Sequence, residues 1–231
     1  MGDYISINVA DGEFRAYVAR PSVASAPAVV VLHEIFGVNS DMRESCQELA
    51  DRGFIAVCPD LFWRQEPGLD LSHWTESEWQ KGLALYTAYD RDKGVGDIAD
   101  TLAFAAKIPG SSGKVGVMGY CLGGLMTFLT AGRRGADAAV AYYPGSAQDY
   151  ADEADKVHSP LMIHLAEEDE FISKEAQATI RAAIAGNPRV ELFSYPGCSH
   201  AFARHTGVHY DADAAALANG RTWDFLGRHL R

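Results

Sequence analysis

The sequence predicts an α/β fold with a mainly parallel central sheet, an antiparallel hairpin at the N-terminus and helices on both faces of the sheet. Three observations support this prediction. Residues 5–9 and 14–19 alternate in polarity around Asp11-Gly12, which is typical of a hairpin. Several continuous apolar runs follow, as expected for strands covered on both faces. Helical patterns separate most of these runs, and that alternation favours parallel strands.

The later elements are assigned from the same patterns. Strands are predicted at residues 28–32, 54–57, 115–118, 138–142, 161–165 and 190–195. Helices are predicted at residues 40–52, 96–107, 122–133, 173–185 and 211–227, the first with Ser40 as its N-cap. Residues 61–78, with Trp63 and Trp74 inside and Trp79 directly after, form a long irregular segment. This segment either builds a pocket rim or covers the surface with aromatic side chains.

Composition restricts the class of protein. The chain has 231 residues, of which 48% are hydrophobic, and we predict one α/β domain over residues 1–231. Asp and Glu outnumber Lys and Arg by 31 to 20, a balance that repels nucleic acid and anionic membrane surfaces. We therefore expect neither as a partner. An anionic substrate would need local Arg or Lys side chains inside the pocket.

Four widely spaced cysteines contain no CxxC pair: Cys46, Cys58, Cys121 and Cys198. This spacing suggests neither a zinc site nor a disulfide framework, and it suits a reducing compartment. The N-terminal residues show no secretory pattern, and apolar runs stay short of the roughly 18 residues that a membrane span needs. We expect a soluble, cytoplasmic protein.

The segment Gly119-Tyr120-Cys121-Leu122-Gly123 lies between a predicted strand and a predicted helix. GxCxG at such a corner is typical of a nucleophile presented on a sharp turn, with sulfur in place of the usual serine oxygen. Glycines allow neighbouring chains to approach the strained central residue, and a helix N-terminus favours a thiolate. Cys121 is therefore the candidate nucleophile, and the Leu122 N–H is a candidate oxyanion donor. A buried structural cysteine or a phosphate-binding turn is the alternative.

A cysteine nucleophile needs a base, and the base needs an orienting group. The acidic run Glu167-Glu168-Asp169 follows the strand at 161–165, and His200 follows the strand at 190–195. Both lie where ligands and catalytic groups gather in open α/β sheets, in the chain order nucleophile, acid, histidine. Asp169 is preferred over its two glutamate neighbours because a loop needs a few residues to carry a short carboxylate over the sheet edge.

Residues 32–37, Leu-His-Glu-Ile-Phe-Gly, follow the strand at 28–32. Gly37 stands where the HExxH zinc signature requires a second histidine. A loop at this place normally supplies the second oxyanion donor, for which the Ile35 N–H is the candidate. Glu34 beside a thiol disfavours the thiolate but can accept its proton; an ordinary surface glutamate is the alternative.

The remaining histidines do not indicate a metal centre. His205 and His209 are four residues apart, but they lack a third ligand at matching spacing, so no metal site is predicted. His158 and His164, before and within a strand, are expected to be structural.

Four motifs in register carry a family resemblance: HEIFG (33–37), GYCLGG (119–124), the acidic loop at Asp169 and HAFAR (200–204). With them, and with YDRDKGVGDI and AALANGRTWDFL elsewhere, the sequence resembles the dienelactone hydrolase (carboxymethylenebutenolidase) family over nearly its whole length. The resemblance implies a cofactor-free α/β-hydrolase with a triad of Cys121, His200 and Asp169. It also implies that Glu34 takes the thiol proton, that Arg204 holds a substrate carboxylate, and that the protein works in aromatic catabolism.

One position departs from the family pattern. Trp79 stands where the family carries a second carboxylate-binding arginine, which predicts weaker anion binding and a larger or more apolar substrate. Lys81 is near in sequence but points about half a turn away on a helix.

The predicted function is a cysteine-dependent hydrolase of small lactones or activated esters, with an acyl-cysteine intermediate at Cys121. A non-catalytic ligand-binding protein on the same fold, and a thioesterase or acyltransferase, are the alternatives. The sequence leaves the oligomeric state open and is compatible with a monomer.

Overall fold

The computed structural model describes residues 2–231. The chain divides into two compact units, Met1–Val117 and Met118–Arg231. The single domain over residues 1–231 stays a prediction. No helix in the described part of the chain is both long and apolar enough to cross a membrane.

The first unit begins with an antiparallel hairpin and continues with parallel strands. Its elements are β1 (Asp3–Val9), β2 (Gly12–Ala19), β3 (Ala26–Leu32), α1 (Ser40–Asp51), β4 (Ile55–Pro59), α2 (Glu76–Ala88), α3 (Arg91–Ala105) and the start of β5 (Ser111–Tyr120). The strand order is β1-β2-β4-β3-β5. The hairpin pairs Ile7 with Phe14 across the predicted turn, and β3 runs parallel to β4, with Val30 opposite Val57.

The second unit contains the end of β5 and three further strands. Its other elements are α4 (Leu122–Arg133), β6 (Ala138–Tyr142), a 3-10 helix (Ala147–Lys156), β7 (Leu161–Ala166), α5 (Lys174–Ile184), β8 (Val190–Tyr195) and α6 (Ala212–Leu230). The strand order is β5-β6-β7-β8. Parallel pairing places Tyr142 beside His164 and Ala166 beside Tyr195, so the C-terminal ends of β6, β7 and β8 meet at one edge.

Continuous burial explains the apolar runs. Every residue of β3 is buried, and so is every residue of β7, as expected of strands covered on both faces. The predicted α/β class, the N-terminal hairpin and the mainly parallel strands are confirmed.

Some boundaries differ from those predicted. The N-cap of α1 is Asn39, not Ser40: its side chain accepts the Met42 N–H at 3.2 Å and donates to the Leu71 carbonyl at 3.1 Å. Helix α3 begins at Arg91, five residues before the predicted start, because Asp90 caps it by accepting the Lys93 N–H. Helix α2 and the 3-10 helix were not predicted, and α2 takes over the last three residues of the segment predicted to be irregular.

Candidate active site

Cys121 occupies a strained corner between β5 and α4. Its φ is 54° and its ψ is −111°, a region that costs a non-glycine residue roughly 1–3 kcal/mol. Hydrogen bonds hold the corner: the Cys121 N–H donates to the Tyr142 carbonyl at 3.1 Å, and its carbonyl accepts from the Leu125 N–H at 3.0 Å. The thiol is half-buried, and the N-cap position carries no side-chain cap. The first N–H groups of α4 can therefore stabilise an anion at the sulfur.

Gly124 explains one glycine of the GYCLGG motif. A Cβ at this position would overlap the Tyr142 carbonyl oxygen, which is the same oxygen that accepts the Cys121 N–H. The absence of a side chain thus lets the first turn of α4 approach the end of β6.

Asp169 and His200, 31 residues apart in sequence, are brought into contact. The Nδ1 of His200 donates to Oδ2 of Asp169 at 2.8 Å. The other oxygen, Oδ1, accepts the N–H groups of Phe171 at 2.9 Å and Ile172 at 3.0 Å. Because both carboxylate oxygens have fixed partners, Asp169 sets the orientation and the tautomer of the imidazole.

The neighbouring acids do not take this role. Glu168 is exposed and pairs with Lys174 at 2.9 Å, and the Glu167 carbonyl accepts from the Lys174 ammonium and from Gln177. The short carboxylate of Asp169 is the one that reaches His200.

The His200 ring contacts two aromatic rings. The ring centroids of Tyr143 and Phe171 lie 4.9 Å and 5.0 Å from it. Its own backbone is also held, since the N–H donates to Glu170 at 3.1 Å and the carbonyl accepts from Nδ1 of His209 at 3.1 Å. His209, considered above as a metal ligand, therefore helps to hold the His200 loop.

Burial alone lowers the pKa of His200, but the charge of Cys121 as a thiolate and the hydrogen bond to Asp169 outweigh it and raise the pKa to about 10. Once the thiolate forms, the ring is held as an imidazolium. Its Nε2 is buried and makes no geometrically regular hydrogen bond within residues 2–231. This nitrogen lies on the opposite side of the ring from the contact with Asp169.

In the first unit, the loop after β3 is held by a buried histidine. The Nδ1 of His33 donates to the Glu34 carbonyl at 2.5 Å, and its Nε2 accepts the Leu61 N–H at 2.9 Å. Burial lowers the pKa of His33, so the ring is neutral and carries its proton on Nδ1. Glu34 is only 3% exposed, which rules out an ordinary surface glutamate.

Ile35 is buried in the same loop. A Cβ on Gly82 of α2 would lie 2.8 Å from the Ile35 carbonyl oxygen, so α2 packs directly on this peptide. The next peptides bind the segment before α2: the Phe36 carbonyl accepts the Leu71 N–H at 2.9 Å, and the Val38 N–H donates to Leu69 at 3.2 Å. These contacts fix the backbone that carries the candidate oxyanion donor.

Known proteins match this chain over nearly its full length. The sequence profile of the dienelactone hydrolase family matches residues 14–230. The chain belongs to the dienelactone hydrolase family. A carboxymethylenebutenolidase of Pseudomonas putida is 40% identical over 223 residues, 96% of this chain and 94% of that protein. A protein of Azospirillum brasilense, provisionally named a carboxymethylenebutenolidase, is 44% identical over 222 residues, 95% of each chain.

A solved structure agrees with these sequence matches. A Klebsiella pneumoniae protein provisionally named a dienelactone hydrolase superposes with a TM-score of 0.87 at 27% identity, covering 99% of this chain and 98% of that one. Membership of the dienelactone hydrolase family makes the chain an α/β-hydrolase that acts on esters or lactones.

The structure also describes Trp79, the position predicted to depart from the pattern of the dienelactone hydrolase family. The Trp79 indole N–H donates to the His73 carbonyl at 2.9 Å, and its ring packs edge-on against Phe36 at 5.0 Å. Lys81 pairs with Glu66 at 2.5 Å on the surface. The aromatic side chain is thus part of a packed cluster, and the nearby lysine is held by a different partner.

Arg204 lies on the loop after His200 and is 8% exposed. Its backbone N–H donates to the Ala201 carbonyl at 3.0 Å, and its side chain packs near Gly207.

Ala201, next to His200, has a φ of 61°, so the histidine loop is strained like the cysteine corner. Sequence reasoning missed this strain, and it missed Tyr143 and Phe171 beside His200, because ring contacts depend on loops that no periodicity describes.

Proposed function

We propose that the protein hydrolyses small lactones or activated esters through a covalent acyl-cysteine at Cys121. The observation that carries this proposal is the 2.8 Å hydrogen bond from His200 Nδ1 to Asp169. It leaves the opposite nitrogen for a cysteine whose charge already contributes to the raised pKa of that ring. Nucleophile, base and orienting acid then stand in the order that this chemistry requires.

Acylation begins with His200 already protonated, as its raised pKa allows. Cys121 loses its proton, which Glu34 accepts in the role that the family resemblance implies. The sulfur attacks the carbonyl carbon, and the electron pair of the C=O bond moves to oxygen. The N–H groups of Leu122 and Ile35 are the proposed donors to that oxyanion, each worth about 3 kcal/mol of barrier. When the C–O bond breaks, the His200 imidazolium gives its Nε2 proton to the departing oxygen.

Deacylation uses the same groups in reverse. Neutral His200 takes a proton from water, and the resulting hydroxide attacks the thioester carbon. The thiolate leaves and the carboxylic acid is released. Glu34 then returns its proton to the sulfur, so that the enzyme is restored and one water has been added overall. Asp169 holds the ring in one tautomer through both steps.

The proposed substrate is a lactone or ester that carries a carboxylate. Arg204 supports this class because a buried arginine in a protein of net charge −11 carries a guanidinium that is suited to bind an anion bidentately. Trp79, packed on Phe36, favours a larger or more apolar body than a second arginine would. A cytoplasmic role in aromatic catabolism stays a prediction.

The test is intact mass after mixing the protein with an activated aryl ester. We expect one acyl group per chain in the parent and none in Cys121→Ala. Cys198→Ala is the matched control, because this cysteine is in the same unit and is 4% exposed, and it should keep both adduct and turnover. Hydrolysis that survives in Cys121→Ala would refute the nucleophile. Saturable binding without an adduct would favour a ligand-binding protein, and transfer to a competing thiol or alcohol would favour an acyltransferase.

A second experiment addresses the substrate. Hydrolysis of lactones with and without a free carboxylate is compared between the parent and Arg204→Ala. Loss of a charged hydrogen bond of this kind should lower kcat/KM for the carboxylated lactone by about 10- to 100-fold, with little change for the neutral one. Equal losses for both lactones would remove the carboxylate from the proposal.

A further inference from the structure

A chain of buried and half-buried polar side chains crosses the second unit beside the candidate triad. It links strands β6, β7 and β8 to helix α6 and consists of Tyr142, His164, Tyr195, Asn219, Arg221 and Thr222. Its contacts are 3.1 Å from Arg221 to the Tyr195 hydroxyl, 2.8 Å from that hydroxyl to His164 Nδ1 and 3.0 Å from His164 Nε2 to Thr222 Oγ1. The last two are 2.7 Å from Thr222 to the Tyr142 hydroxyl and 2.8 Å from Tyr142 to Asn219.

The donors in this chain can be assigned in one direction. The Tyr142 hydroxyl donates to Oδ1 of Asn219, so it accepts from Thr222, whose only proton is then used. Arg221 can only donate, so the Tyr195 hydroxyl accepts from it and uses its own proton on Nδ1 of His164. His164 then donates from Nε2 to Thr222, which donates to Tyr142 in turn. Each hydroxyl and the His164 ring donate one proton. A second proton on the His164 ring would face the proton of the Tyr195 hydroxyl, so the chain is satisfied only when His164 is neutral. Burial and the charge of Arg221 lower the pKa of His164 to about 3, in agreement with that requirement.

The backbones of the same residues lead to the candidate triad. The Tyr142 carbonyl accepts the Cys121 N–H at 3.1 Å, and the Tyr195 carbonyl accepts the N–H groups of Glu167 at 3.1 Å and Cys198 at 3.4 Å. Glu167 opens the loop that carries Asp169, and Cys198 lies two residues before His200. Tyr195 is bonded to His164 directly and Tyr142 is linked to it through Thr222. The carbonyls of these two tyrosines hold the cysteine corner, the acid loop and the histidine loop.

The His164 backbone completes the arrangement. Its carbonyl accepts the Tyr143 N–H at 2.8 Å, and Tyr143 packs against the His200 ring. His164 and Thr222 are fully buried and reach no solvent. Their hydrogen bonds join three strand ends to one helix, so their loss changes the spacing between those ends as well as the stability of the unit.

We propose that His164 and Thr222 are positioning residues that set the alignment of Cys121, Asp169 and His200 through Tyr142 and Tyr195. This inference rests on the proposed function, since it concerns the geometry of the proposed triad. It assigns no contact with substrate to either residue. Misplacement of reacting groups by about 1 Å can cost on the order of 100-fold in rate, so a small relaxation of these strand ends is measurable.

The test compares Thr222→Val, which keeps the shape but removes the hydroxyl, with Thr222→Ser, which keeps the hydroxyl. Active sites are counted by the burst of an activated ester, and all assays run below the onset of melting. We expect Thr222→Val to lower kcat per counted site by about 10-fold with KM changed less than about twofold, and to slow alkylation of Cys121 by iodoacetamide. Thr222→Ser should restore both rates.

Thr130→Val is the matched control. Thr130 is a fully buried threonine on α4 of the same unit, and its hydroxyl makes no hydrogen bond within residues 2–231. Its replacement should leave kcat, KM and alkylation unchanged. A Thr222→Val protein that melts at a lower temperature but keeps parental rates per site would overturn the inference, leaving the network a purely stabilising role. Failure of the proposed function gives a different result, namely hydrolysis that persists in Cys121→Ala.

Discussion

The second unit contains two buried histidines with opposite proton affinities. His164 lies among hydroxyl groups, and burial followed by the charge of Arg221 lowers its pKa to about 3. His200 is almost as deeply buried, yet the Cys121 thiolate and Asp169 overcome the cost of burial and raise its pKa to about 10. Nδ1 of His164 accepts from the Tyr195 hydroxyl at 2.8 Å, and Nδ1 of His200 donates to Asp169 at the same distance.

The difference shows that burial does not by itself determine the charge of a histidine. Desolvation opposes the imidazolium in both places, and only a facing negative charge reverses the outcome. A neutral ring can serve as a fixed link in a hydrogen-bond chain, whereas a protonated ring beside a thiolate can transfer a proton. Substitutions around either histidine, or where the two regions meet, test this difference.

The largest effect is expected from Asp169→Asn, which removes the charge facing His200 and can favour the wrong tautomer. We expect kcat/KM for an aryl ester to fall by about 10³- to 10⁴-fold, the range seen when such a carboxylate is neutralised. Glu168→Gln is the matched control, because this carboxylate is exposed and pairs with Lys174; it should keep the rate within about twofold. A comparable loss in the control would move the acid role to Glu168.

A smaller effect, on stability, is expected from Gly124→Ala, which acts where the two regions meet. The new methyl group would overlap the Tyr142 carbonyl, and such overpacking costs about 3 kcal/mol of unfolding free energy. Gly220→Ala on α6 is the control, because a Cβ there meets no atom within 4 Å, and it should add up to about 1 kcal/mol. Chemical denaturation measures both. Equal stabilities for the two variants would show that the approach of α4 to β6 is not tight.

Acidification should reveal the neutral state of His164. The pKa of His164 in the folded protein lies below its value in the unfolded chain. The neutral ring therefore contributes fully to the free energy of unfolding above about pH 6.5, and this contribution is lost as the pH falls toward 3. Between pH 7 and pH 4.5 the parent should lose about 2 kcal/mol more unfolding free energy than His164→Gln. Groups that titrate in both proteins cancel in this difference. Identical losses on acidification would mean that His164 is protonated in the folded state.

The smallest effect is expected from Glu170→Gln. Glu170 accepts the His200 backbone N–H at 3.1 Å, and its side chain is 42% exposed. An amide oxygen can still accept that N–H, so we expect kcat/KM to change less than about threefold. A fall as deep as that of Asp169→Asn would make Glu170 the group that orients His200.

The prediction of elements succeeded where burial on both faces imposed a continuous apolar run, as in β3 and β7. It failed for α2, in which Gly82 is the one buried residue, because a helix exposed to solvent has no apolar stripe to detect. Asn39 and Ser40 are equally good caps by sequence. Asn39 takes the role because its amide also reaches Leu71, a tertiary contact that no local pattern contains.

For the candidate site, the sequence located the residues but not their surroundings. The GxCxG motif predicts a strained corner at Cys121, where φ is positive. The position of Asp169 in the acidic loop favours it over two adjacent glutamates, and its side chain is hydrogen-bonded to His200. The catalytic roles of these residues, and those of Glu34, Ile35, Leu122 and Arg204, stay predictions. The ring contacts of Tyr143 and Phe171 with His200, and the network through His164, were not foreseen because they join elements that are far apart in the chain.

The amino-acid sequence sets which reactive groups the chain carries, their order, and the glycine, Gly124, that allows a sharp corner at Cys121. The protonation of His164 and His200, in contrast, depends on contacts that exist only in the folded chain. Nothing in their local sequence separates the two proton affinities, because a pKa depends on desolvation and on facing charges. Those surroundings come from β6, α6 and Cys121, which folding brings together from distant parts of the chain.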